Sequence, residues 1–190
     1  MFEFQQQNAL LIVIVCFAML FFAMSCDLTL NNPSKIDIPI HWITVANQIF
    51  PSEFVAAAAD RTMLSSETFS CYQRNRDTIY LAIAHSDRLD VWLHELTHRW
   101  QTKQLHRWDS RSDDYTVELE KLQDNLKLGI EEEARLIEFI YLASLQAEVR
   151  FYDFVNNRGE VVDFYPYYYL ALYYCKTHLN LYVTLPRFEE

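Results

Sequence analysis

Glycine is nearly missing from this chain, which has two in 190 residues, Gly129 and Gly159. A glycine-rich phosphate cradle of the G-x-G-x-x-G or Walker kind cannot be built from that supply, so nucleotide-dependent chemistry is set aside. Basic residues are also scarce, 16 Lys and Arg against 26 Asp and Glu, for a formal net charge of −10. That balance repels phosphate backbones and argues against nucleic acid as a partner. Only four cysteines occur, Cys16, Cys26, Cys71 and Cys175, and no C-x-x-C spacing among them suggests a cysteine zinc site or a dithiol redox motif. No internal repeat is visible. What the chain does have is apolar material, 51% hydrophobic residues with 12 Tyr, 13 Phe and 4 Trp. This excludes a disordered polymer and suits one domain with a sizeable core.

Uncharged apolar sequence is concentrated in a single run, residues 9–25, long enough for a secretory h-region and nearly long enough to span a bilayer. Ala23 and Ser25 place small residues where a signal peptidase reads, and Ser25-Cys26 resembles a bacterial lipoprotein signal in which Cys26 would carry the lipid. Residues 1–26 are therefore expected to be a signal peptide or membrane anchor. Residues 27–35, with Asn31-Asn32-Pro33-Ser34, read as a polar linker, and residues 36–190 as the folded domain. The expected location is extracytoplasmic, either membrane-anchored or secreted. In such an oxidising compartment Cys71 and Cys175 are left either as a disulfide pair or as two buried thiols. Oligomeric state has no signature here.

Within the domain, residues 42–50 and 53–64 have helical composition, divided by Pro51-Ser52, which can start the second helix. Residues 67–73 and 78–84 are richer in Thr, Phe, Tyr and Ile, and Arg74-Asn75-Arg76-Asp77 between them is turn material, so a short antiparallel hairpin is expected. Residues 109–114 form a polar loop. Residues 117–128 and 130–155 read as helices broken at Gly129, Asn156-Asn157-Arg158-Gly159 as a turn, and the tyrosine-rich tail as a helix begun by Pro166. The fold class that follows is α+β, mostly helical, with a short hairpin or sheet ahead of the central helix.

That central helix carries the chemistry. Leu89, Leu93, Leu96 and Trp100 recur at helical spacing, Ser86 or Asp87 is a candidate N-cap, and the same stretch contains His94-Glu95-Leu96-Thr97-His98. Residues four apart on a helix lie one above the other, so the two imidazoles of an H-E-x-x-H can converge on one metal with Glu95 beside them. This is the arrangement of metal-assisted hydrolysis. A catalytic zinc has three protein ligands and an open position, so a third must come from elsewhere. Zinc proteases with a third His on the same segment place it six residues on, after a turn glycine. Gln104 and Gln101 stand at those positions, so the three-histidine class fails.

Acidic residues on later helices remain, and the cluster Glu131, Glu132, Glu133 is foremost, with Glu148 a further candidate on the face of Ile137, Tyr141 and Ser144. Ala134, three positions after Glu131, would let a ligand helix approach closely. Together the run from His94 to Gln101 and the later Glu131-x-x-Ala134 resemble the gluzincin group of zinc metallopeptidases, in particular small bacterial members with H-E-L-T-H-x-W-Q. The resemblance covers roughly residues 78–141, and it implies a small zincin-like domain acting on a peptide or protein substrate. Zinc would sit on His94, His98 and Glu131, with Glu95 as general base. It also implies that residues 78–84 form the edge strand on which a peptide aligns, and that a downstream His or Tyr steadies the oxyanion, for which His178 and the 167–174 tyrosines are available. Two departures stand out: Arg99 occupies a position usually uncharged in these enzymes, and Arg135 one where many carry an Asp that supports a zinc-binding His. The alternative is an inactive membrane-attached binding module whose zinc site is structural or vestigial, closed by a fourth ligand such as His106 or His178.

Overall fold

A computed structural model describes residues 33–108, 115–145 and 154–185. The apolar run 9–25, Cys16, Cys26, the polar loop 109–114 and Glu148 lie outside the described residues. Among the described residues no helix is long and apolar enough to cross a membrane. The architecture is α+β. Among the described residues six strands, β1 (Ser34–Lys35), β2 (Thr62–Ser65), β3 (Cys71–Gln73), β4 (Thr78–Ala82), β5 (Val117–Glu118) and β6 (Phe154–Val155), accompany six α-helices. These are α1 (Ile40–Ala46), α2 (Ser52–Ala59), α3 (Leu89–Lys103), α4 (Leu119–Gln123), α5 (Ile130–Ser144) and α6 (Tyr168–His178).

The main sheet has the order β1-β2-β4-β3, with β2 and β4 parallel and the other two pairings antiparallel. The β3–β4 hairpin turns at residues 74–77, where Asp77 takes a left-handed φ of 50°, a conformation Asp tolerates better than most residues. β4 is consequently an internal strand. The expectation that residues 78–84 form the edge is corrected: β4 is paired on both sides, and the edge beside the central helix is β3.

Several local expectations shift for identifiable reasons. Residues 53–64 do not form one helix, because the chain leaves α2 at Asp60 and Thr62–Ser65 finds a partner in β4 that lies far away in sequence. Ser34 and Lys35, assigned to the linker, pair with Leu64 and Met63. Residues 117–128 hold a short strand and the five-residue α4 rather than a long helix, since Val117 and Glu118 pair with Phe154 and Val155. α3 starts at Leu89 with Arg88 at the N-cap and no side-chain cap, while the Ser86 hydroxyl donates to the Ile83 carbonyl in the preceding 3-10 turn.

α3 lies across the sheet and packs most extensively along α5. Trp92, Leu93 and Leu96 have no exposed surface, and they meet Ile79 and Leu81 of β4 and Leu136, Ile137 and Ile140 of α5 in one core. Each such side chain contributes about 1.5–3 kcal/mol by leaving water. Trp92 Nε1 also donates to Thr62 Oγ1 at 3.1 Å, tying α3 to β2. α6 closes the core from the other side with Tyr168, Ala171 and Tyr174 fully buried, while Tyr169 and Tyr173 face solvent. The tyrosine tail is thus core and rim, begun by Pro166 in a 3-10 turn that runs into α6.

Candidate metal centre

Twelve of the fifteen residues of α3 are buried, seven of them polar or charged, so each of those must find a partner. Asp90 pairs with Arg88, Arg99 with Asp77, and Gln101 with the backbone and side chains of α5. The Thr97 hydroxyl donates to the Leu93 carbonyl. His94, Glu95 and His98 are left on one face. They meet Glu131, from the first turn of α5, in a cleft of about 640 Å³ whose other walls are residues 69–75, Trp108 and Tyr115.

His94 Nε2 and His98 Nε2 stand 3.0 Å apart, and Glu131 Oε2 lies 3.2 Å from the first and 3.1 Å from the second. The opposite ring nitrogens are spoken for. His94 Nδ1 lies 2.5 Å from Glu138 Oε1, and Glu138 in turn accepts from Arg135 at 2.5 Å. His98 Nδ1 lies 3.0 Å from Gln101 Oε1. Gln101 Nε2 donates to the Ile130 carbonyl and to Glu133, so its Oε1 is the atom turned to His98 and must accept from Nδ1–H. With both Nδ1 atoms acting as donors, the neutral rings present lone pairs from both Nε2 atoms to a single point, where a carboxylate oxygen joins them. Three electron-pair donors at such separations repel one another unless a proton or a metal cation lies between them. For a tetrahedral ion about 2.0–2.1 Å from each ligand, the expected ligand–ligand separation is about 3.3 Å, close to the spacing here. His94, His98 and Glu131 thus form a set that could hold a metal ion, and no fourth His, Cys, Asp or Glu joins it among the described residues.

The electrostatics say the same. Burial disfavours a charged His94, but hydrogen bonds from its ring N–H groups to Glu131 and Glu138 and the charges of Glu95 and Glu138 outweigh it, raising its pKa to about 10 in the metal-free chain. Burial likewise works against the Glu131 carboxylate, yet its bonds to His94 and His98 and their charge hold it down at about 2. The site thus favours positive charge at the point where the three ligand atoms converge. Glu95, 6% exposed, is pushed up by burial and by the Glu131 charge, against the His94 and His98 charges and a hydrogen bond from the Tyr72 backbone N–H.

The acidic candidates separate cleanly. Glu132 accepts the Gly129 N–H at 2.5 Å and pairs with Lys121, closing the start of α5. Glu133 is fully buried, held by Arg107, Gln101 and the Tyr174 hydroxyl at 2.7–2.9 Å. Only Glu131 of the three turns into the cleft. His178 stacks on Tyr174 with centroids 4.4 Å apart and its Nε2 lies 3.1 Å from the Asn125 carbonyl, and the Tyr174 hydroxyl is engaged with Glu133, so neither serves the cleft as an oxyanion group. His106 is exposed and outside the ligand set. Cys71 and Cys175 do not form a disulfide with each other, and burial pushes the Cys175 thiol pKa well up, leaving it unreactive.

Glu138 was missed by sequence reasoning. The expected support for a zinc-binding His stands four residues after Glu131, where this chain has Arg135. The supporting carboxylate is instead found one turn further on, and Arg135 is the cation that holds it. Its signal was a Glu buried on the α5 face toward α3, at 5% exposure, in need of a partner. No family profile matches the chain, and no curated protein or solved structure matches it either.

Proposed function

We propose that the chain is a zinc-dependent metallopeptidase of the gluzincin kind. The observation that carries this reading is the convergence of His94 Nε2, His98 Nε2 and Glu131 Oε2 beside a buried Glu95, at the floor of an open cleft. A zinc ion bound there supplies Lewis acidity, acidifying water and polarising a carbonyl. Glu138 and Gln101 hold the two imidazoles in the tautomer and orientation that binding needs. Glu95, its pKa raised by burial, would take the proton of the attacking water and pass it to the leaving amine. β3, which ends the sheet among the described residues and lines the cleft, is where an extended peptide would align. In this reading the apolar run 9–25, or a lipid on Cys26, attaches the domain to a membrane outside the cytoplasm. The rival reading, a structural zinc site in an inactive module, calls for a fourth protein ligand, and both histidines that could have served lie elsewhere.

The test pairs metal content with hydrolysis. Glu95→Gln should keep one zinc per chain and lose cleavage of fluorescein-labelled casein, whereas His98→Ala should lose the metal. Wild-type turnover in Glu95→Gln would sink the mechanism.

A further inference from the structure

Arg99 follows the second histidine directly, and its guanidinium is 7% exposed. It is not left to solvent. Its Nε and Nη2 donate to the two carboxylate oxygens of Asp77 at 3.0 and 3.1 Å, its Nη1 donates to the Phe54 carbonyl at 3.3 Å, and its plane covers the Phe54 ring at 4.7 Å. Asp77 is the last residue of the hairpin turn, and it also accepts the Tyr72 hydroxyl at 3.1 Å and lies 3.3 Å from Lys103. Tyr72, in turn, is the central residue of β3, which ends the sheet among the described residues and lines the cleft.

The pairing pattern shows which way its backbone points. Tyr72 stands opposite Ile79, and the Ile79 N–H donates to the Arg61 carbonyl on the far side of β4, so this is a non-hydrogen-bonded pair. In an antiparallel ladder the N–H and C=O of such a residue both face away from the partner strand. The Tyr72 N–H accordingly faces away from β4, Tyr72 and Glu95 line the same cleft, and a hydrogen bond from this N–H is among the influences that lower the Glu95 pKa against burial. A chain of contacts results: Arg99 on α3 grips Asp77, Asp77 grips the Tyr72 side chain, and Tyr72 lines the cleft together with Glu95, one helical turn before Arg99.

We infer that the Arg99–Asp77–Tyr72 clamp is a positioning device that holds the edge strand against α3, so that the Tyr72 N–H fixes Glu95 in line with the metal triad. The inference rests on the peptidase reading for its consequence in turnover, but the geometry it asserts is measurable without activity. None of the three residues is a ligand, so zinc content is expected to stay at one per chain in every variant.

The experiment uses the full chain loaded with zinc and follows single-amide hydrogen exchange alongside casein cleavage in Tyr72→Phe, Arg99→Met and Arg99→Lys. Tyr72→Phe and Arg99→Met should speed exchange of the residue-72 amide at least tenfold, while β4 amides paired with β2 keep their wild-type rates. In the same variants kcat should fall about tenfold with KM within twofold, and Arg99→Lys should recover part of both effects. Exchange at residue 72 that stays at the wild-type rate overturns the inference, as does exchange that rises equally across the whole sheet, which marks plain destabilisation. A wild-type chain that binds zinc and cleaves nothing refutes the peptidase reading, and the exchange data still decide the clamp.

Discussion

Removing the Glu138 side chain perturbs the site through one atom pair, its Oε1 against His94 Nδ1 at 2.5 Å. A hydrogen bond to an ionised acceptor contributes about 1.5–3 kcal/mol. At about 1.4 kcal/mol per decade, Glu138→Ala should weaken zinc binding about 10- to 100-fold. Gln101→Ala removes the neutral acceptor facing His98, worth about 1 kcal/mol, and should cost about fivefold. The fold should survive Glu138→Ala, since Arg135 is 31% exposed and can turn to water once its partner is gone. Competition against a chelator of known affinity gives the zinc constants, and circular dichroism with thermal melting checks the fold. Glu138→Ala within twofold of wild type, with an unchanged melt, would refute the reasoning, and so would a larger loss in Gln101→Ala.

Three further outcomes are expected. Glu131→Ala should lose most bound zinc while Glu132→Ala retains it at lower thermal stability, because the first carboxylate meets the histidines and the second caps α5; equal zinc loss would contradict the assignment. His178→Ala should leave zinc content unchanged and lower the melting temperature by a few degrees, through the lost stacking on Tyr174; zinc loss would reopen its candidacy as a ligand. For Asp77, burial alone would raise the pKa, but Arg99, the Tyr72 hydroxyl and Lys103 together bring it below the unfolded value, so the stabilisation is complete above about pH 4 and is lost as pH falls through the folded value. Denaturant titrations should show a stability gap between wild type and Asp77→Asn that is constant from about pH 5 to 7 and shrinks below about pH 4, and a gap undiminished at low pH would overturn it.

What could be read from sequence was whatever is set by near neighbours. The stripe Leu89, Leu93, Leu96, Trp100 placed α3, the cluster at residues 74–77 placed the hairpin turn, and Gly129 marked the start of α5. His94, His98 and Glu95 came from spacing alone, and Glu131 from its small neighbour Ala134. The misses are long-range. Thr62–Ser65 is a strand only because β4 offers a parallel edge, and Thr78–Ala82 is internal only because β2 takes its other side. Gln101 was read as the wrong residue for a three-histidine site, when its role is to present an oxygen to His98. Arg135 stands where a supporting carboxylate is expected, and the carboxylate it holds, Glu138, meets His94 only once α5 lies against α3.

The buried carboxylate of Glu133 gives the site a sequence in time. It joins Gln101, and through it His98, to Arg107 and to the Tyr174 hydroxyl on α6. A growing chain emerges amino end first, so both histidines and Glu131 are synthesised before Tyr174. Until α6 docks, Glu133 lacks one of its donors and the support behind His98 is incomplete. The support behind the His94, His98 and Glu131 set is thus completed only once the last helix has been made, by an element that contributes none of those three residues.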